Sequence, residues 1–254
     1  MTSAEKIMQY IDDQEIEIFD FQFINKKLGK RLRNLKNDLE NLVKKGFLDR
    51  LEKGKYVRRN FNDEYVIGSF LVPNGTVAYW TALHYYGLTE QFANTLFIQS
   101  TVPKQSKTVR GVYYKFIKVN SSKLSCTTYA GHGNQRFRIT TLEKTILDCL
   151  DQPRYSGGKA ELYRAIAKSK LNAGKLIDAA KAVNNQYATR KLAFLLELFN
   201  KKGLDSYLKF VKNSLSKRYY SFENTKLTGP LNSTWRMYIN IPVKDLITLN
   251  QKEY

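Results

Sequence analysis

A basic stretch near the amino terminus contains the residue types that proteins use to contact DNA. Arginine forms paired hydrogen bonds with guanine, asparagine does so with adenine, and lysine mainly holds phosphates. Residues 26–59 contain 13 Lys and Arg against four Asp and Glu. The candidate base- and phosphate-contacting residues are Lys30, Arg31, Arg33, Asn34, Lys36 and Asn37, and a second basic group follows at Lys53, Lys55, Arg58 and Arg59.

Helical periodicity would place the first basic group on one exposed face. The opposite face would pack on a core through Leu32, Leu35, Leu39, Leu42 and Val43. Gly46 is suited to end this helix, because it accepts the left-handed backbone of a C-terminal cap. Strand-like runs over 47–51 and 56–59 flank a glycine-containing turn and predict a β-hairpin that carries the second group. The alternative is an ordinary solvated helix face.

Two further helices are predicted ahead of the basic stretch. The first covers 4–14, with Thr2 or Ser3 as its cap, and the second is capped by Asp20. Two helices, a turn, a third helix and a hairpin predict a winged helix-turn-helix DNA-binding domain over residues 1–60. A small helical interaction module is the alternative. The polar, aperiodic segment 61–64 is predicted to be a linker.

Composition points to a polyanionic partner. The chain of 254 residues has a net charge of +19, and such a surface attracts nucleic acid whatever the fold. No run of 18 apolar residues occurs and residues 1–9 lack a secretory signal, so we expect a cytoplasmic protein without a membrane partner. Cys126 and Cys149 are expected to be small buried hydrophobes, since no further ligands for zinc lie nearby.

Residues 65–254 are predicted to form a larger mixed α+β domain with a helical section towards the carboxyl end. A buried helix over 77–86 precedes strands at 96–102, 112–119 and 125–129. Four helices are then predicted at 160–168, 174–183, 187–200 and 204–215, followed by a strand over 235–241. Residues 154–218 have 15 Lys and Arg against four acids, which indicates a second basic surface or simply a solvated helical face.

Catalytic chemistry is hard to find in the sequence. Glu143, Asp148 and Asp151 fall on one predicted helix, where Glu143 is better explained by a capping box that starts at residue 140. His84 and His132 lack spaced ligand partners, and no phosphate-binding loop or nucleophile elbow occurs. We therefore expect no enzyme, no metal, no cofactor and no small-molecule substrate. A nucleic-acid-processing enzyme with a winged-helix targeting domain is the alternative.

Three stretches of the larger domain, together with the order of parts, resemble the AbiEi family of bacterial abortive-infection antitoxins, also described as transcriptional regulators of viral defence. The stretches are TVAYWTALHYYGLTEQ at 76–91, RITTLEKTILDCLDQPRYSGG at 138–158 and NSTWRMYINIP at 232–242. With the predicted winged helix ahead of them, the resemblance covers nearly the whole chain.

The resemblance implies an antitoxin that represses its own operon through inverted repeats in the promoter. It also implies that the larger domain counteracts a cognate nucleotidyltransferase toxin in phage defence, with or without a stable complex. The DNA-contacting role is carried over only to the two basic groups defined above, and no toxin-contacting residue is assigned. A plain repressor that responds to a small ligand remains a further alternative.

Overall fold

A computed structural model describes residues 2–29, 34–89, 94–133, 135–223 and 225–251, and it shows a mixed α+β protein. The helices are α1 Ser3–Asp13, α2 Phe21–Leu28, α3 Leu35–Lys44, α4 Glu64–Phe70, α5 Tyr79–Tyr85, α6 Leu142–Asp151, α7 Lys159–Lys168, α8 Ala173–Val183, α9 Gln186–Leu198, α10 Asp205–Asn213 and α11 Val243–Gln251. The strands are β1 Ile18–Asp20, β2 Leu48–Glu52, β3 Lys55–Arg58, β4 Thr76–Val77, β5 Thr95–Ser100, β6 Lys107–Val109, β7 Val112–Lys118, β8 Thr127–Ala130, β9 Phe137–Thr140, β10 Tyr220–Ser221, β11 Leu231–Asn232 and β12 Met237–Tyr238.

The first three helices pack on a three-stranded sheet of order β1-β3-β2. Side-chain caps start the first two helices, because Thr2 accepts from the Glu5 amide and Asp20 accepts from the Phe23 amide. These two predicted helices are confirmed. The apolar stripe of α3 is also confirmed over the described residues, since Leu35, Leu39 and Leu42 are buried; Leu32 lies outside them.

The end of α3 leads directly into the hairpin. Gly46 has a left-handed φ of 77°, and its amide and that of Phe47 bond back to the carbonyls of Val43 and Leu42 at 3.0 Å each. This pair of bonds is a Schellman cap, which closes the helix and turns the chain. The predicted hairpin is confirmed as β2 and β3. Strand β1 was not predicted, and it adds to the hairpin through antiparallel pairing with β3.

A six-stranded mixed sheet of order β6-β7-β5-β4-β9-β8 forms the centre of the larger part. Residues alternate across its strands, so Leu96 and Ile98 face α4 while Phe97 faces α5 and Tyr155 on the other side. The three predicted strands correspond to β5, β7 and β8, and the helix predicted over 77–86 to α5. The short strands β4, β6 and β9 were not predicted.

The helical section contains the four predicted helices as α7 to α10. The strand predicted over 235–241 is wrong in extent, because only Met237 and Tyr238 pair with neighbouring strands. Its alternation is nevertheless correct, since Trp235, Met237 and Ile239 are buried. Helix α11, which follows it, was not predicted. None of the helices in the described ranges has the length and apolar character needed to cross a membrane.

The segment predicted as a linker is packed against the larger part. Phe61 is 8% exposed and shares a core with Leu51 and Val57 of the hairpin and with the sheet residues that face α4. Asp63 caps α4 by accepting from the Val66 amide at 2.9 Å. Residues 61–64 are therefore a fixed connection rather than a flexible tether, because their side chains are used in packing and capping.

An ion-pair cluster joins the hairpin to the larger part at Glu52. Its carboxylate lies 3.0 Å from Lys55 Nζ, 2.7 Å from Lys104 Nζ and 3.3 Å from Lys107 Nζ. Burial alone would raise the pKa of Glu52, but the hydrogen bonds and charges of Lys104 and Lys55 outweigh it and lower the pKa from 4.5 to about 2. Glu52 thus stays ionised at any pH near neutrality.

Replacing Glu52 by Gln should destabilise the protein in a pH-dependent way. The folded pKa lies below the unfolded one, so ionised Glu52 stabilises the fold above about pH 4.5 and this contribution is lost as the pH falls towards about 2. We expect a loss of about 1 to 3 kcal/mol at pH 7 that shrinks at pH 3. Urea unfolding at both values measures it, with exposed Asp13→Asn as the control. An equal loss at both pH values would contradict the prediction.

Lys191 is a buried cation that lies among aromatic rings. Its Nζ is 4.2 Å from the Phe222 ring centroid and 5.3 Å from that of Tyr163, and it is 3.6 Å from Glu223 Oε1. Burial lowers the pKa of Lys191 from 10.5 to about 8, and Glu223 opposes this shift only in part. The side chain is only 5% exposed, so the charged form bears a desolvation cost.

Lys191→Met should remove part of the pH dependence of stability. Below about pH 8 the folded protein carries the full cost of the buried charge, and between about pH 8 and 10.5 the unfolded chain binds more protons, so stability rises with pH. The difference between wild type and Lys191→Met should therefore shift in favour of wild type by up to about 3 kcal/mol across this window. Exposed Lys170→Met is the control in urea titrations, and a constant difference would refute the assignment.

Candidate nucleic-acid interface

The amino-terminal half of α3 presents polar side chains to solvent. Asn34, Lys36 and Asn37 are exposed, while Leu35 and Leu39 on the other side of the helix are buried. The 3.6-residue period of the sequence produces this division, because the apolar stripe must meet the core formed with α1 and α2. Three of the six candidate contact residues of the first group therefore lie on one exposed segment.

Asn34 precedes α3 at the N-cap position, yet within the described residues its side chain makes no capping hydrogen bond. Its amide is therefore available to an outside partner, as is that of exposed Asn37. An asparagine amide has both a donor and an acceptor, which matches the edge of adenine in the major groove. Lys30, Arg31 and Arg33, the remaining members of the first group, lie outside the described residues.

A groove of about 880 Å³ separates α3 from the hairpin. Lys36 and Glu40 of α3 line one side, and Arg50, Lys53 and Tyr56 of the hairpin line the other. Arg50 Nη1 donates to Glu40 Oε1 at 3.2 Å and so bridges the two sides. Lys36 and Lys53 remain exposed at the groove. The groove therefore offers two solvated ammonium groups on opposite walls, which suits a phosphate backbone.

Tyr56 lines the hairpin side of this groove. It is 2% exposed and stacks on Phe19 with a centroid distance of 5.8 Å. Burial and the neighbouring Glu40 raise the pKa of the phenol. The hydroxyl therefore stays protonated and neutral, so it adds no negative charge to the groove.

Two residues of the predicted hairpin group are engaged within the protein. Lys55 Nζ donates to the carbonyls of Phe70 and Leu71 at 3.0 and 2.6 Å, in addition to its ion pair with Glu52. Arg58 Nε donates to the Ile16 carbonyl at 3.0 Å, and its guanidinium also pairs with Asp12 and Glu17. These contacts make both side chains parts of the scaffold, because reaching a phosphate would break several charge-assisted bonds.

The other two residues of the hairpin group face solvent. Lys53 lies at the turn next to Gly54, and Arg59 follows the last strand of the hairpin. Arg59 lies near Gly46, at the end of α3 opposite to Asn34. Lys53 thus belongs to the groove, whereas Arg59 lies on a different side of the same unit.

Sequence reasoning missed Arg50 as a member of this surface. Arg50 pairs in register with Tyr56 across the hairpin and reaches Glu40 on α3. Its position in a strand opposite an aromatic residue could have indicated that Arg50 belongs to the same surface, since cross-strand neighbours share one face of a sheet. The bridge to Glu40 depends on the packing of α3 against the hairpin and was not readable from local spacing.

The acids considered for catalysis are engaged in the fold. Asp148 is fully buried, with both oxygens 2.6 Å from Lys144 Nζ and one 2.9 Å from Gln99 Nε2. Asp151 accepts from Lys123 and Asn185 at 2.6 Å each. Within the described residues, no group of three or more His, Cys, Asp or Glu side chains is placed to hold a metal ion.

The predicted capping role of Glu143 is wrong. Thr141 alone caps α6, by accepting from the Lys144 amide at 3.4 Å. Glu143 is the second residue of the helix rather than the third, so it does not reach back to the cap. Its carboxylate instead accepts from the Asn172 amide at 3.0 Å and fixes the start of α8.

Comparison with known proteins adds no family assignment, because no protein-family model matches the chain and no curated protein matches it either.

Arg58→Ala and Arg59→Ala should differ in their effect on stability, because Arg58 is bonded within the fold and Arg59 is exposed. Arg58 loses a hydrogen bond to a carbonyl and two ion pairs, so we expect a loss of about 1 to 3 kcal/mol in the free energy of unfolding. Arg59 is exposed and its replacement should change stability by less than about 0.5 kcal/mol. Chemical denaturation of both variants measures this, and comparable losses in the two would contradict the distinction.

Proposed function

We propose that this protein is a sequence-specific binder of double-stranded DNA whose residues 2–59 act as a winged helix. The observation that carries this proposal is a pair of exposed ammonium groups across one groove, Lys36 on α3 and Lys53 at the hairpin turn, with the exposed amides of Asn34 and Asn37 within two residues of Lys36 along the chain. A helix of this kind fits the major groove, while the hairpin contacts the adjacent backbone. The net charge of +19 favours such a partner.

In this proposal the side chains have different tasks. Asn34 and Asn37 make the base contacts that distinguish sequences, and Lys36 and Lys53 hold phosphates on the two sides of the groove. Lys55 and Arg58 act as positioning residues, since they fix the hairpin to the larger part and to the segment before β1. Arg31 and Arg33 are proposed to contact guanine, and this assignment rests on the sequence alone.

We further propose that the protein is a cytoplasmic antitoxin that represses its own promoter and opposes a nucleotidyltransferase toxin without being an enzyme itself. This step rests on the resemblance to the AbiEi family. The resembling stretches coincide with β4 and α5, β9 and α6, and β11 and β12, where Ile139, Ile146 and Trp235 are fully buried. The resemblance is therefore one of core packing, which supports a shared fold and assigns no toxin contact.

DNA binding is tested with a duplex of the chain's own promoter and a scrambled duplex of equal length. Asn37→Ala should lower the ratio of the two affinities by about fivefold or more, because a paired base contact gives about 1 to 3 kcal/mol of discrimination. Lys36→Ala should weaken both duplexes alike and reduce the salt dependence by about one phosphate contact. Electrophoretic mobility shifts over a salt series measure both effects.

Two exposed residues on α1 provide matched controls for this experiment. Gln9→Ala removes an amide and Lys6→Ala removes an ammonium group, both from a helix outside the groove. Gln9→Ala should leave the affinity ratio unchanged, and Lys6→Ala should leave the two affinities and their salt dependence unchanged. Wild-type protein that bound the promoter and the scrambled duplex equally would refute sequence-specific recognition.

Antitoxin activity is tested by co-expressing the full chain with its operon neighbour from unrelated promoters. Wild type should restore growth when the neighbour is toxic. The double variant Lys36→Ala with Asn37→Ala should also restore growth, because the proposal assigns protection to the larger part. A neighbour without toxicity, or one whose toxicity the chain does not relieve, would remove the antitoxin assignment and leave DNA binding to be judged separately.

A further inference from the structure

Three arginines lie close together beside the amino-terminal half of α9. Arg190 is 1% exposed, and Arg218 and Arg236 lie on the segments that flank it. In the parts of the chain that the structure describes, none of the three forms an ion pair with a carboxylate. Burial lowers the pKa of Arg190, and the like charge of Arg236 lowers it further. The cluster is therefore a concentration of uncompensated positive charge.

The buried arginine fixes the segment that carries the exposed one. Arg190 Nη1 donates to the Arg218 carbonyl at 2.6 Å, and its Nη2 donates to Ser216 Oγ at 2.9 Å. Arg236 Nη1 donates to the Ser216 carbonyl at 2.8 Å. Residues 216–218 are thus held in one conformation, with the side chains of Lys217 and Arg218 exposed. A ligand that bound there would meet a preorganised surface.

Aromatic rings alternate with these cations. The Tyr220 ring contacts two guanidinium groups, since its centroid is 5.0 Å from the guanidinium carbon of Arg190 and 5.1 Å from that of Arg218. Tyr219 is 43% exposed, and its ring centroid is 6.1 Å from that of the half-buried Tyr238. An exposed tyrosine beside unpaired arginines provides both a flat apolar face and a positive field in one place.

Glu197, which contacts the side chain of Trp235 next to Arg236 in the sequence, already has partners of its own. Glu197 accepts from Trp235 Nε1 at 2.6 Å and lies 3.6 Å from Lys212 Nζ. Lys212 is itself 5.1 Å from the centroid of the Trp235 ring. Among the described residues, Glu197 is therefore not free to neutralise the arginine cluster.

Phosphodiesters match the charge of this surface, and unpaired bases match its aromatic component. A duplex keeps its bases stacked inside and offers mainly phosphates, whereas a single strand can place a base on an exposed ring. We infer that Lys217, Arg218, Tyr219, Arg236 and Tyr238 form a binding surface for single-stranded nucleic acid, separate from the α3 groove. Tyr219 would stack with a base, and Arg218 and Arg236 would contact the flanking phosphates.

Fluorescence anisotropy with the full chain tests this inference. The probes are a labelled 12-nucleotide oligo-uridine RNA, an oligo-thymidine DNA of the same length and a 12-base-pair duplex of unrelated sequence. At least one single strand should bind more tightly than the duplex. Binding of RNA alone, of DNA alone or of both would each support the inference and would identify the source of the strand.

Variants locate the binding to the surface. Tyr219→Ala should weaken single-strand binding about tenfold, while Tyr219→Phe should keep it, because stacking needs the ring and not the hydroxyl. Arg218→Ala should weaken binding and reduce its salt dependence, and Arg218→Lys should largely keep that dependence. The controls are Tyr129→Ala, at a tyrosine that is 60% exposed, and Arg154→Ala, at an exposed arginine 4.7 Å from the Tyr155 ring centroid.

Two outcomes would overturn the inference. One is duplex binding as tight as single-strand binding by the Lys36→Ala, Asn37→Ala double variant, in which the α3 groove is impaired, and the other is single-strand binding that Tyr219→Ala leaves unchanged. Thermal unfolding checks that each variant is folded. If an alanine variant does not fold, the conservative Tyr219→Phe and Arg218→Lys variants still allow the test. Asn37→Ala should leave single-strand binding intact, so failure at the α3 groove and failure at this surface are distinguishable.

Discussion

The attachment of the hairpin to the larger part governs the rest of the structure. Glu52 collects three ammonium groups, two of which come from the segment before β7, while Lys55 adds bonds to carbonyls after α4. Leu51 and Val57 enter the same core as the sheet. Since α3 packs on this hairpin, the groove between them depends on bonds that the hairpin makes to residues between 15 and 55 positions further along the chain. Its geometry is a property of the whole protein.

The basic side chains of this protein fall into two groups, those that are engaged in internal contacts and those that are exposed to solvent. Lys55, Arg58 and Lys191 contact carbonyls, carboxylates or aromatic rings of the protein itself, so their charges are engaged within the fold. Lys36 and Lys53 face solvent beside one groove. A net charge of +19 therefore does not by itself locate the surface that would meet the polyanionic partner we propose. Location depends on which basic side chains have no partner of their own, and that is a tertiary property.

Local rules predicted much of the fold and part of the candidate site. Caps such as Thr2 and Asp20 act within three residues, so the starts of α1 and α2 could be predicted from the sequence. Strand β1 has three residues and exists only through pairing with β3, which local spacing does not encode. The burial of Phe61 and the internal bonds of Arg58 likewise join residues far apart in sequence. Exposure of Asn37 followed from helical periodicity, whereas the Arg50 bridge required the packed hairpin.

The packed connection at residues 61–64 bears on how such a protein can evolve. A module on a loose tether can be exchanged by recombination, because the cut exposes little apolar surface. Here Phe61 is buried in the larger part and Asp63 caps its first helix. A chimaera joined at this point would have to bring matching neighbours for both residues and for the hairpin core. Under the DNA-binding role that we propose, substitutions on the exposed face of α3 would therefore change specificity more readily than replacement of the whole amino-terminal unit.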